Sequence, residues 1–247
     1  MPTLLYKNLG LVKGVAFDSW RRVGGVMQAI KVYNMRQVDE LVFLDITATL
    51  EERRPDFLAI DEFADECFMP LTVGGGVRSA EDVERLLKVG ADKVAINTAA
   101  FEVPGLVQEA ARRFGAQCIV AAVDARRLDD RRNEVFTHAG TRSTGCDAKT
   151  AAMRFADEGA GEILLTSIDR DGTMRGYDLE LVKAVTDAVN IPVIASGGAG
   201  NYQHMYEAVT EGGASAVAAA SVFHFTEQTP REAKAFLRAR GVPVRLD

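Results

Sequence analysis

PLTVGGGVRSAEDVERLLKVGADKVAINTAAF fills residues 70–101, and PVIASGGAGNYQHMYEAVTEGGASAVAAASVF fills residues 192–223. Pro70 and Pro192 stand 122 positions apart, as do Gly75 and Gly197; Val94 and Val217 stand 123 apart, as do Thr98 and Ser221. Each stretch reads as a strand, a glycine turn, a helix and a second strand ending in a small hydroxyl residue. The offset is about half of the 247 residues. A half-length repeat of βα units predicts an α/β chain folded as a (β/α)8 TIM barrel with a half-barrel internal repeat. A doubly wound open sheet predicts no such repeat.

Outward from the repeat, short apolar runs alternate with amphipathic stretches. Strands are expected at 3–6, 40–45, 70–73, 93–96, 118–123, 162–167, 193–195 and 216–219. The runs are continuous rather than alternating, as in strands buried on both faces. Val83, Leu86 and Leu87, and then Leu181, Val185 and Val189, mark helical stripes. One domain over 1–247 is expected, with half-barrels at about 1–115 and 116–247. Residues 7–24 read as a long mobile loop carrying Lys7 and Lys13. Residues 126–145 form the other irregular stretch, with RRLDDRRNE as a solvated turn or hairpin.

The net charge of −6 leaves no electrostatic footprint for nucleic acid. No apolar run approaches the ~20 residues of a membrane span, and MPTLLYKNLG lacks the pattern of a signal peptide. Cys67, Cys118 and Cys146 are too scattered for a metal pair and read as idle thiols of a cytoplasmic protein. No metal or cofactor is expected.

Three constellations carry chemistry. Gly75 and Gly76 with Asn97 and Thr98 end strands three and four; Gly197 and Gly198 with Ala220 and Ser221 end strands seven and eight. Glycine lets backbone N–H groups close on a phosphate, so two matched copies predict a ligand with phosphate at both ends. Asp45, Asp124 and Asp171 follow strands two, five and six. There each can act as acid or base or simply cap the next helix, the latter fitting Asp171 better than Asp124. Glu40, Lys93 and Glu162 open strands two, four and six, and either meet in one interior layer at the barrel floor or sit apart as solvated rim charges. His138, His204 and His224 read as structural or exposed, and Trp20 as loop packing.

LVFLDITA (41–48), PLTVGGGVRS (70–79), GADKVAINTAA (90–100), GAGEILLTSIDRDGTMRGYDLEL (159–181), IPVIASGGAGN (191–201) and AASVFHF (219–225) resemble the HisF family, the cyclase subunit of imidazole glycerol phosphate synthase. The resemblance implies a bis-phosphate substrate and a HisH-like glutaminase docked on the barrel floor as a heterodimer, its ammonia passing through the barrel to the mouth. It makes Asp124 the acid/base on strand five. It matches Gly76, Asn97 and Thr98 to one phosphate site and Gly172, Gly198, Ala220 and Ser221 to the other, and the neighbouring Gly75, Gly197 and Asp171 are expected to join them in binding phosphate. Glu40, Lys93 and Glu162 match the ammonia gate, Asp92 a partner-facing position, and Lys13 the lysine of the substrate loop.

The first strand departs from that pattern. The family's CLDV carries a second catalytic Asp, and here TLLYKNLG has Leu5 in its place. Leucine transfers no proton, so cyclisation should fall by the ~10²–10⁴-fold that such a group contributes. Leu5 with Lys7-Asn8 is similar to HisF-like paralogues that work beside a separate sugar amidotransferase in surface-polysaccharide biosynthesis. Three functions follow as alternatives: an ammonia-channelling subunit with cyclase chemistry lost or reduced, a true cyclase using Asp124 with a substitute such as Asp45, or a scaffold for the glutaminase.

Overall fold

The computed structural model describes residues 1–7, 10–129 and 132–245. Asn8, and Asp130 with Arg131 inside RRLDDRRNE, lie outside the described residues.

All eight expected strands form, as Thr3–Lys7, Leu41–Asp45, Leu71–Gly74, Lys93–Ile96, Ile119–Arg127, Glu162–Ser167, Val193–Ser196 and Ala216–Val217. They are called strands one to eight below. Each pairs in parallel with the next. The ring closes where Pro2 bridges Ala219, with Thr3 N–H donating to Ala219 O and Ala219 N–H to Met1 O, both at 2.9 Å. The fold is a (β/α)8 barrel.

Side-chain alternation divides the core. Leu4, Val73, Val94 and Val123 face the helices, whereas Val42, Ala95, Val120, Ala122, Leu164, Ile194 and Ala218 form a separate cluster inside the barrel. The helix Ala80–Lys88 shows how the outer layer is specified. Ser79 caps it by accepting the Asp82 N–H, Glu81 and Asp82 lie in the first turn and Arg85 and Lys88 in the last, and Val83 and Leu86 are wholly buried. Gly90, at φ 100°, turns the chain into strand four.

The stretch read as a mobile loop after strand one is a β-hairpin. Gly10–Val15 pairs with Asp18–Gly24 and extends the sheet from strand one. Its two-residue turn, Ala16 and Phe17, takes φ of 50° and 61°. A second hairpin, Asn133–Thr137 with Arg142–Asp147, grows from strand five, which runs on to Arg127 to pair with it. Its tip residues His138 and Ala139 have φ of 52° and 53°. Ala16 and His138 stand 122 positions apart, so the repeat extends to the hairpins. The two tips meet, since Phe17 lies against Gly140, where a Cβ would come within 2.9 Å of the ring.

Candidate functional site

The C-terminal ends of the strands and the two hairpins enclose a mouth cavity of about 1190 Å3, open solvent included. Its lining brings together Lys13, Gly75, Gly76, Asn97, Thr98, Asp124, Asp171, Gly172, Gly197, Gly198, Ala220 and Ser221. Phe17, Trp20 and Ala139 line it from the hairpins.

The two cradles are built alike. Gly75 and Gly197 have φ of 105° and 90°, and a Cβ on either would strike the backbone carbonyl ending the neighbouring strand, Asp45 O or Ser167 O. Glycine is therefore required there by the fold as well as by any ligand. Helices Thr98–Glu102 and Ser221–Phe225 follow, entered through Asn97 (φ −108°, ψ −83°) and Ala220 (φ −125°, ψ −66°), neither of which caps with its side chain. The hydroxyls differ. Thr98 Oγ1 donates to Asn97 Oδ1 at 3.2 Å and accepts the His138 N–H at 3.0 Å, whereas Ser221 Oγ is buried with no hydrogen-bond partner.

Asp124 stands on strand five at the base of the cavity. Asn97 Nδ2 donates to its Oδ2 at 3.3 Å and to the Ala122 carbonyl at 3.1 Å. Burial pushes the Asp124 carboxyl up to about 7; a hydrogen bond from Thr166 opposes that rise and the charge of Asp171 adds to it. A carboxyl that titrates near neutrality can both give and take a proton.

Pairing registers fix the position of Leu5. Asp124 is opposite Thr166, and Leu5 is opposite Leu44; Leu44 and Thr166 are 122 residues apart. Leu5 is thus the half-barrel counterpart of Asp124, and it lines the same cavity. Asp45 is committed elsewhere. Its Oδ1 accepts from Thr47 N, Thr47 Oγ1 and Ala48 N, each at 3.0 Å, and Arg53 Nη2 lies 3.1 Å from Oδ2.

Asp171 does not cap the following helix; Asp178 does, accepting the Leu181 N–H. Asp171 Oδ1 instead accepts from Lys13 Nζ at 2.6 Å, with side chains 11% and 2% exposed. Its Oδ2 is buried and unpartnered. A carboxylate has no donor for a phosphate, so Lys13, the Ser221 hydroxyl and backbone amides are the groups lining the cavity on this side that can hold one. Lys13 is therefore docked on a hairpin strand, not held on an open loop. His224 lies close by: burial lowers its pKa and the charge of Lys13 lowers it further. His138, read from sequence as structural or exposed, does serve the site structurally: it sits at the tip of the second hairpin and its backbone N–H pins Thr98, while His224 lies on the short helix Ser221–Phe225 after strand eight.

At the opposite end, the three floor residues meet. Lys93 Nζ donates to Glu40 Oε2 at 2.9 Å and to Glu162 Oε1 at 2.7 Å, with side chains 16%, 27% and 20% exposed. Burial lowers the Lys93 pKa, but the two carboxylates outweigh it and the net shift is upward. Asp92 is exposed beside them and accepts the Leu71 N–H at 2.7 Å. Among the described residues no group of side chains could hold a metal ion, and no helix is long and apolar enough to cross a membrane.

The mouth of this (β/α)8 barrel thus carries two matched glycine turns, each followed by a short helix, with the Asp124 carboxyl, pushed up to about 7, on strand five between them. The family model described as "Histidine biosynthesis protein" matches residues 3–229. The chain belongs to that family, as a barrel of the HisF-like or HisA type.

Proposed function

We propose that this chain is the HisF-like synthase subunit of a glutamine amidotransferase complex. It receives ammonia from a HisH-like glutaminase on its floor and carries it to the mouth for amidination of a polysaccharide sugar precursor. Its own cyclase chemistry is lost or reduced.

The observation that carries this reading is a polar line through an apolar barrel. The ring of Glu40, Lys93 and Glu162 lies at the floor, and Glu162 Oε2 is buried without a partner. Thr72 Oγ1 and Thr3 Oγ1, on inward-facing positions, are likewise buried and unpartnered. The interior cluster around them mixes the small side chains of Ala95, Ala122 and Ala218 with Val42, Val120, Leu164 and Ile194. Buried polar groups without partners are costly and rare. Spaced along one interior, they suit a small neutral molecule that donates and accepts hydrogen bonds, while the apolar walls reject its charged form. Beyond the line lies Asp124, with Leu5 where a second carboxylate would complete a proton-transferring pair. Asp45 is too heavily hydrogen-bonded to replace it, which weighs against the true-cyclase reading.

Asp92, exposed beside the ring, is the proposed partner contact. Asp92→Asn keeps an acceptor for Leu71 N–H and removes the charge. In sedimentation with a HisH-like glutaminase, the wild-type chain should form a 1:1 complex and the variant should dissociate several-fold more readily. If the wild-type chain does not associate, the amidotransferase reading fails.

A further inference from the structure

The mouth cations are shared unevenly between the two cradles. On the strand-three and strand-four side, Arg53 pairs with Asp45, Arg54 with Asp82 and Arg142 with Glu102, and among the described residues Arg78 has no carboxylate partner. On the strand-seven and strand-eight side, Arg21, Arg22, Arg170 and Arg175 are all exposed, and none is in an ion pair among the described residues. Three of them lie just outside the residues that line the cavity at this cradle. A Cβ at Gly198 would lie 3.1 Å from Arg170 Cβ. Arg175 precedes Gly176, whose N–H donates to Gly198 O at 2.8 Å. The Arg21 guanidinium lies 3.8 Å over the ring of Phe225, which ends the helix that Ser221 opens.

The nearby carboxylates are engaged elsewhere. Asp171 holds Lys13, Asp169 accepts the Arg127 N–H at 2.8 Å, and Asp18 accepts the Ser19 N–H at 2.6 Å. Lys13 and Arg21 are, moreover, direct cross-strand partners in the first hairpin. Like charges placed opposite one another weaken a hairpin. Lys13 is neutralised by Asp171, but Arg21 has only an aromatic face beneath it. In a chain of net charge −6 these exposed guanidinium groups gather at one end of the mouth with no carboxylate partner among the described residues.

We propose that the strand-seven and strand-eight end of the mouth takes a diphosphate. One phosphoryl group sits in the cradle of Gly198 and Ser221, and the next lies on the rim between Arg21, Arg170 and Arg175. Guanidinium groups suit that role, because their planar donors engage phosphoryl oxygens in pairs. The ligand class is a pyrophosphate ester, as in a nucleoside diphosphate conjugate. The inference rests on reading Gly198 and Ser221 as a phosphate cradle.

Calorimetric titration at fixed ionic strength, with inorganic pyrophosphate and orthophosphate as probes, tests it. The wild-type chain should bind pyrophosphate at least ~10-fold more tightly, as two or more added charge-assisted hydrogen bonds imply. Arg21→Gln and the double variant Arg170→Gln/Arg175→Gln should each reduce that preference while orthophosphate still binds. Arg112→Gln, which removes the same charge from the outer helix Leu106–Phe114, should leave it intact. Equal affinities in the wild-type chain, or an equal loss in Arg112→Gln, would overturn the proposal. If neither anion binds, the cradle reading fails as well, whereas glutaminase association is scored by its own measurement.

Discussion

Asp124→Asn should make the protein more stable above pH 7 and leave its stability unchanged near pH 4. Asp124 titrates near 7 in the folded chain against 3.8 for the ordinary carboxyl, because burial raises it first and the charge of Asp171 adds to that. The folded state therefore holds this proton more tightly than the unfolded state does. Stability falls as pH rises from about 4 to about 7 and is level beyond. The full shift corresponds to at most ~4 kcal/mol, lessened where the cavity admits water. Asparagine keeps the shape and can still accept from Asn97 Nδ2, but it carries no charge to desolvate. Thermal unfolding at pH 8 should rise by several degrees, on the order of 2–4 °C per kcal/mol. At pH 4 the two proteins should melt together. A variant that melts lower than wild type at pH 8, or by the same margin at both pH values, would show that Asp124 is not held in a charge-excluding site.

Lys93→Met acts at the other end and in the opposite direction. Lys93 joins Glu40 and Glu162 at 2.9 and 2.7 Å. Its pKa is raised despite burial, so its contribution is fully present below the ordinary lysine value of 10.5 and is lost only as pH climbs through the folded value. Methionine would leave two partly buried carboxylates facing each other with no cation. Removing one partner from a fully buried ion pair costs about 3–5 kcal/mol, and the partial exposure here points to the lower end or below. The deficit should shrink as the pH falls and the glutamates protonate. In the complex with a HisH-like glutaminase, the same variant should release more glutamine-derived ammonia into bulk solution than wild type does. A release fraction equal to wild type would mean that ammonia does not enter through this ring.

The barrel was legible because its signal is repeated. The strand–glycine–helix–strand unit recurs at an offset of 122, and the positions of Gly75, Gly197, Thr98 and Ser221 follow from it. The floor ring was legible as a possibility, since three charges opening alternate strands share a layer; only the fold decides that they touch. The turn from strand five into the second hairpin was legible in RRLDDRRNE, but the first hairpin and the tips of both were not. Their tips put Ala16, Phe17, His138 and Ala139 at positive φ, where a reader of sequence expects glycine or asparagine. With the first hairpin unseen, Lys13 read as a mobile side chain, whereas it is buried against a carboxylate 158 positions away. The same kind of gap hid the role of His138, whose backbone N–H reaches Thr98 from the tip of the second hairpin. Asp45 and Asp171 looked equivalent as carboxylates after strands. Their difference, one saturated by backbone amides and one with a free oxygen, belongs to loop geometry.

Leu5 is the position on which the loss of cyclase chemistry turns. The registers make it the counterpart of Asp124, so the mouth carries a carboxyl on strand five and a leucine at the matching place on strand one. The most direct measurement is turnover of the family's phosphoribulosyl carboxamide ribonucleotide by the purified chain with an ammonium salt, followed by imidazole glycerol phosphate formation. The wild-type chain should give little or no product, and Leu5→Asp should raise whatever rate remains toward the ~10²–10⁴-fold that a proton-transfer group provides. Robust turnover by the wild-type chain would contradict the account and return this barrel to the cyclases.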